Sequence, residues 1–292
     1  GAMREIVVVS GKGGTGKTTV VLGFASMAEN AVLADCDVDA ADMFLVLNPE
    51  TYHTDSFTGG KLAKILPDPC TECGKCREVC EFDAISEDYV VDPLACEGCG
   101  ACYYFCPCEA ILFEPEYTGS VFHSNSRLGP FFHARLNPGQ ENSGKLVTRV
   151  RNDARAAAVE QGKGLILVDG SPGIGCPVVA SVTGADYIVV VTEATLSGYH
   201  DLERVFELMS HFKLSGGVVI NKFDIHPEMF DNIEALAAKR GFDRLGRIPY
   251  SAEEVISAMN NGQTVIEAAP NSPVATAVAD VWQQLISRVP ED

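Results

Sequence analysis

Apolar residues along this chain gather in short runs that alternate with glycine-rich turns and stretches of helical period. Ile6-Val7-Val8-Val9 is followed by the glycine-dense Gly11–Thr19 and then by Val20, Val21, Phe24, Met27 and Ala28 at amphipathic spacing. That order predicts strand, loop and helix. Ala31–Ala34 is a second apolar strand, Leu165–Val168 a third, and Tyr187–Thr192 and Gly217–Ile220 add two more, each of the last two followed by a helical pattern. A helix is expected from Gly144-Lys145 to about Gln161, ended by Gly162 and Gly164, and another over about Ser272–Arg288. Between Tyr117 and Gly139 apolar and polar residues alternate around Gly129-Pro130, which predicts a hairpin. From about Phe57 to Glu116 the texture changes, and cysteines replace the apolar runs.

The chemistry sits at the ends of the strands. Gly11, Gly16, Lys17 and Thr18 fit the phosphate-loop pattern G-x-x-x-x-G-K-[ST]. Glycines let backbone N–H groups curl around an anion, and the helix that follows aims its positive dipole end at the phosphates. The residues expected around the nucleotide phosphates are Gly13, Gly14, Thr15, Gly16, Lys17, Thr18 and Thr19, with Lys17 reaching the β- and γ-phosphates and Thr18 ligating Mg2+. Asp35, Asp37 and Asp39 follow the second strand, where open α/β sheets place their ligands. The third strand ends in Asp169, the Walker B form whose carboxylate holds the Mg2+ shell. Gly170–Cys176 continues it as a candidate switch loop, or as a plain strand-to-helix connection. Asn221-Lys222-Phe223-Asp224 has the N-K-x-D form of a base-recognition element. Gly246–Tyr250, with Pro249, is expected to form the other wall of the base pocket. By itself N-K-x-D hints at guanine.

Cys70, Cys73, Cys76 and Cys80 have the spacing C-x2-C-x2-C-x3-C, and Cys96, Cys99, Cys102 and Cys106 repeat it with Pro107 after the last. This internal repeat is the two-cluster bacterial ferredoxin signature, in which the fourth ligand comes from the other half. Cluster one is expected on Cys70, Cys73, Cys76 and Cys106, and cluster two on Cys96, Cys99, Cys102 and Cys80. Both would be [4Fe-4S]. Zinc is the other metal that paired C-x2-C motifs suit. Glu81 stands where proline usually follows, and Cys108 lies outside the spacing.

Composition narrows the partners. The 292 residues include 22 basic and 40 acidic ones, for a net charge of −18. That balance argues against nucleic acid and against an anionic membrane surface, and no apolar run approaches the roughly 20 residues that span a bilayer. Met3 leads straight into the first strand, so no export signal is expected, Gly1-Ala2 is expected to be a cloning remnant, and eleven cysteines point to metal in the cytoplasm.

With Lys12 inside GKGGTGKTT, the chain resembles the MinD/ParA and nitrogenase iron-protein superfamily of deviant phosphate-loop ATPases, which includes Mrp-type cluster carriers, with a two-cluster ferredoxin domain inserted. The resemblance implies an α/β fold with a mostly parallel, doubly wound sheet over residues 3–56 and 117–292, and a small α+β ferredoxin domain over 57–116. It implies a nucleotide-dependent homodimer, or a homologous heterodimer, in which Lys12 reaches the partner subunit's phosphates. It also implies that Asp37 orients or deprotonates the attacking water, Asp169 supports Mg2+, and Asn221 recognises adenine, hence ATP. Cys176 lies seven residues past Asp169, the offset of a shared cluster ligand in nitrogenase iron proteins, and is a candidate further ligand or an isolated small hydrophobe.

The leading expectation is an ATPase that passes electrons or a metallocluster to an acceptor protein. The alternatives are a positioning ATPase like MinD or ParA, with clusters as sensors or staples, and a ferredoxin whose ATPase part is a scaffold.

Overall fold

A computed structural model of the chain describes residues 3–138 and 143–289. Gly1-Ala2, Gly139 at the end of the expected hairpin, and Pro290-Glu291-Asp292 lie outside the described residues. The first half runs β1 (Arg4–Ser10), α1 (Lys17–Met27), β2 (Ala31–Asp35), α2 (Met43–Leu47), β3 (Glu50–Ile65), α3 (Lys75–Glu78), α4 (Ala101–Tyr104), β4 (Ile111–Ser126) and β5 (Gly129–Leu136). The second runs α5 (Ser143–Glu160), β6 (Leu165–Pro172), α6 (Cys176–Val182), β7 (Tyr187–Glu193), α7 (Leu196–His211) and β8 (Gly216–Asn221). It ends with α8 (Pro227–Arg240), β9 (Asp243–Ile248), α9 (Ala252–Asn260), α10 (Val265–Ala268) and α11 (Pro273–Ile286).

Nine strands form one sheet in the order β3-β4-β5-β2-β6-β1-β7-β8-β9. From β5 to β9 neighbouring strands are parallel. A parallel sheet is covered on both faces, and Val7, Val8 and Val9 in β1 are accordingly all fully buried. Ile6, Val8, Leu33, Leu167 and Val189 point to one face, where they meet α1 and α11; there the Phe24 and Trp282 rings lie 5.3 Å apart. β1 ends in Ser10 beside β6 at Pro172, so the phosphate loop and the Walker B acid leave the sheet from the same edge.

The sheet is mixed, parallel from β5 to β9 with an antiparallel neighbour at β4. β4 and β5 are adjacent and joined by Arg127-Leu128 alone, so they run antiparallel. The turn falls two residues before Gly129-Pro130, which instead opens β5. The sequence carried no signal for β3. Its first five residues are exposed and the rest carry few apolar side chains, so neither period is visible. β9 was hidden for the same reason, with two buried residues in six.

The chain divides into two compact units, one of Gly1–Thr54, Val121–Arg135 and Ser143–Asp292, the other of Asp55–Ser120 and Leu136–Asn142. The second does not stand out as a ferredoxin-type α+β domain. Its strands are the continuations of β3 and β4, and its helices α3 and α4 have four residues each. Its apolar cluster is small: Ala63, Cys76, Ile85, Cys102 and Ile111 pack together, and Phe57, Ala84 and Ala110 are buried as well.

Candidate functional site

The site is assembled in the first unit from the carboxyl ends of β1, β2 and β6. Gly14 (φ +77°) and Gly16 (φ +91°) take conformations that L side chains rarely adopt, and the chain then turns into α1 at Lys17. Lys17 is 5% exposed; its ammonium pairs with Asp169 and lies 3.4 Å from Asp37 Oδ2. Burial works against that charge, yet Asp169, Asp37 and Asp35 outweigh it and hold the Lys17 pKa above its ordinary value. The Thr18 hydroxyl donates to Asp169 Oδ2 at 2.7 Å. Asp35 is fully buried beneath them and accepts the backbone N–H groups of Asp37 and Met43. Burial, with Asp169 close by, pushes its carboxyl well above the usual range, and burial also raises Asp37. In the sequence Asp35 is one of a run of carboxylates; its place at the last position of a strand buried along its whole length is the signal that sets it apart.

These groups fit a magnesium nucleotide on two observations. A hydroxyl and a carboxylate in contact are the hard oxygen donors that Mg2+ takes. The Thr15 hydroxyl, 2% exposed inside the phosphate loop, has no hydrogen-bond partner, so a polar group is held ready there without a mate.

Lys12 stands apart. Its ammonium is 3.1 Å from Ser197 Oγ and 3.8 Å from Glu193, with the side chain 37% exposed.

Beside the loop lies a cavity of about 250 Å3, lined by Gly14, Thr19, Asn221, Pro249, Tyr250 and Val274 among others. Asn221 and Pro249 both line it. The contributions of α9 and α11 had no motif to reveal them. Asn221 Nδ2 donates to the Thr15 carbonyl at 2.8 Å, tying the loop to the end of β8. Asp224 accepts the Tyr250 N–H at 2.8 Å.

The switch-loop segment is partly strand, because β6 runs on to Pro172. Ser171 donates to the Cys36 carbonyl at 2.7 Å, and Gly173 N–H to the Ser10 carbonyl at 2.8 Å. Cys176 is exposed at the start of α6 and, among the described residues, belongs to no group of three or more potential ligands.

The expected [4Fe-4S] clusters are corrected by the cysteine geometry. Among the described residues, the one group of three or more potential ligands with atoms within 4.8 Å of one another consists of aspartate and histidine and contains no cysteine. Within the quartets, Cys73 and Cys99 are exposed while Cys76 and Cys102 are buried in the small apolar core. Burial pushes the Cys76 and Cys102 thiols up, and neighbouring cysteines push the same way. Cys108, set aside in the sequence, lies 3.7 Å from Cys106, sulfur to sulfur.

The CobQ/CobB/MinD/ParA nucleotide-binding domain matches residues 6–265. An uncharacterized protein of Methanocaldococcus jannaschii is 34% identical over 226 residues, covering 76% of this chain and 79% of that protein. The septum site-determining protein MinD complexed with Mg-ADP, from Pyrococcus horikoshii, superposes with a TM-score of 0.60 at 17% identity, over 98% of this chain and 97% of that one. That likeness is one of fold. A protein named Ferredoxin 7Fe from Hydrogenibacillus schlegelii is 39% identical over 72 residues, 22% of this chain and 92% of that protein.

Proposed function

Because this chain belongs to the CobQ/CobB/MinD/ParA family of nucleotide-binding domains, we propose that it is a MinD/ParA-like ATPase whose nucleotide state governs pairing with a second copy, and thereby the placement or activity of a protein cargo. The observation that carries the reading is the convergence of Lys17, Thr18, Asp37 and Asp169 at the carboxyl ends of adjacent strands. Lys17 leaves its carboxylates for the β- and γ-phosphates, exchanging one set of negative partners for another. Thr18 and Asp169 are the residues that would hold magnesium, which neutralises charge on the phosphates. Asp37 accepts a hydrogen bond from the attacking water and orients it. Asn221 and the cavity walls take the adenine, and most of the rate enhancement is positioning and electrostatics.

Lys12 is the link to pairing. It is partly exposed and held by contacts that an exposed ammonium gives up readily, so it is free to meet a phosphate presented by the partner. An electron or cluster acceptor loses its basis with the clusters, whereas a cargo-positioning role needs only the switch.

The test is sedimentation of the intact chain with ATP and Mg2+. Wild type shifts from monomer to dimer. Lys12→Ala binds nucleotide with unchanged affinity and stays monomeric. A Lys12→Ala protein that still dimerises with ATP removes the role assigned to this lysine. A wild type that binds ATP without associating removes the switch itself.

A further inference from the structure

Cys108 is the one cysteine of the second unit that the repeat leaves over, and it is not isolated. Its sulfur lies 3.7 Å from Cys106 Sγ, van der Waals contact for two thiols, and the Thr71 hydroxyl points at it from 3.8 Å. Ala110 N–H donates to Cys106 Sγ at 3.3 Å. Both side chains are partly open to solvent. The first half of the repeat has no counterpart, since Cys80-Glu81-Phe82 stands where Cys106-Pro107-Cys108 does.

We propose that Cys106 and Cys108 form a redox-active dithiol that exchanges with low-molecular-weight disulfides and closes to an intramolecular disulfide. Cys108, more remote from the apolar core, attacks first as its thiolate. It bonds to one sulfur of the incoming disulfide and expels the other as a thiolate. Cys106 then loses its proton and attacks the Cys108 sulfur, forming the Cys106–Cys108 bond and expelling the second thiolate. The two protons given up by the protein match the two thiolates released. The dithiol is oxidised by two electrons and the small disulfide is reduced by the same two. Closure brings the sulfurs from 3.7 Å to a bond of about 2 Å. Thr71 and Ala110 supply the hydrogen bonds that steady a sulfur carrying negative charge.

The experiment uses the full chain, reduced, freed of reductant, and treated with oxidised glutathione at about pH 8, where thiolate is available. Remaining thiols are then blocked with N-ethylmaleimide and the peptides weighed. The peptide bearing Cys106 and Cys108 is expected to lose two hydrogens, to carry no glutathione, to do so ahead of the other cysteines, and to recover both thiols with dithiothreitol. Cys106→Ser is expected to trap glutathione on Cys108. Separate glutathione adducts on the two residues of the wild-type chain overturn the proposal. So does a Cys106 that resists both reagents in the folded protein while Cys108 reacts alone.

Discussion

Substitution of Gly16 by alanine tests the seam between the phosphate loop and the base cavity. Two independent costs are expected. At φ +91° an L residue is strained, by about 1–2 kcal/mol. A Cβ at this position would also sit 2.3 Å from Asn221 Nδ2, so Asn221 must swing away and its bond to the Thr15 carbonyl is lost, for about 1 kcal/mol. Gly16→Ala should therefore destabilise the chain by about 2–3 kcal/mol, read as a shift of the urea midpoint. Asn221→Ala alone should cost about 1 kcal/mol through the same lost bond. In the double variant that bond is lost only once and the clash is gone. The pair should then fall short of additivity by about 1 kcal/mol, the coupling a double-mutant cycle isolates. Strict additivity would show that Asn221 does not rest against Gly16, and the seam would be wrong.

Two further outcomes follow from buried charges away from the nucleotide. Glu5 is 3% exposed and binds Arg151 at 2.7 Å and Arg155 at 2.7 Å, while Arg151 also donates to the Ala180 and Thr183 carbonyls. Glu5→Ala strands the buried guanidinium of Arg151 and should cost about 3–5 kcal/mol in urea unfolding; a loss near zero would mean water replaces the carboxylate. His133 is stacked against Phe131 and Phe122 at 4.8 and 4.7 Å, and burial first, Arg135 second, lowers its pKa to about 4. Its folded pKa lies below its unfolded one, so its contribution is complete above about pH 6.5 and lost as pH falls toward 4, by up to roughly 3 kcal/mol. His133→Phe should flatten that part of the stability–pH curve, and an unchanged slope would assign the titration elsewhere.

The parts legible in the sequence were those with both a pattern and a fixed chemistry. The run Val7-Val8-Val9 gave β1, and Gly11–Thr19 gave the loop after it, because a buried parallel strand and a phosphate turn leave few residue choices. Asp169 was legible from the same logic. β3 was not, since an edge strand with exposed side chains obeys neither period. Asp35 was missed as a site residue because its role is to lie beneath Lys17, which no spacing announces. The cysteine repeat misled in the other direction. Its spacing matched a ligand pattern, while the fold buries Cys76 and Cys102 and exposes Cys73 and Cys99. Burial of individual thiols depends on tertiary packing that spacing does not encode.

The most direct measurement is calorimetric binding of ATP to the intact chain, with Mg2+ and with the metal chelated, for wild type and for Lys17→Ala whose folding has been verified by circular dichroism. The account predicts a single site on the wild type, strengthened by Mg2+, and a loss of at least tenfold in affinity in Lys17→Ala, about 1.4 kcal/mol or more. Equal affinity in the two proteins, or no heat in either, would contradict the claim that this pocket holds a magnesium nucleotide.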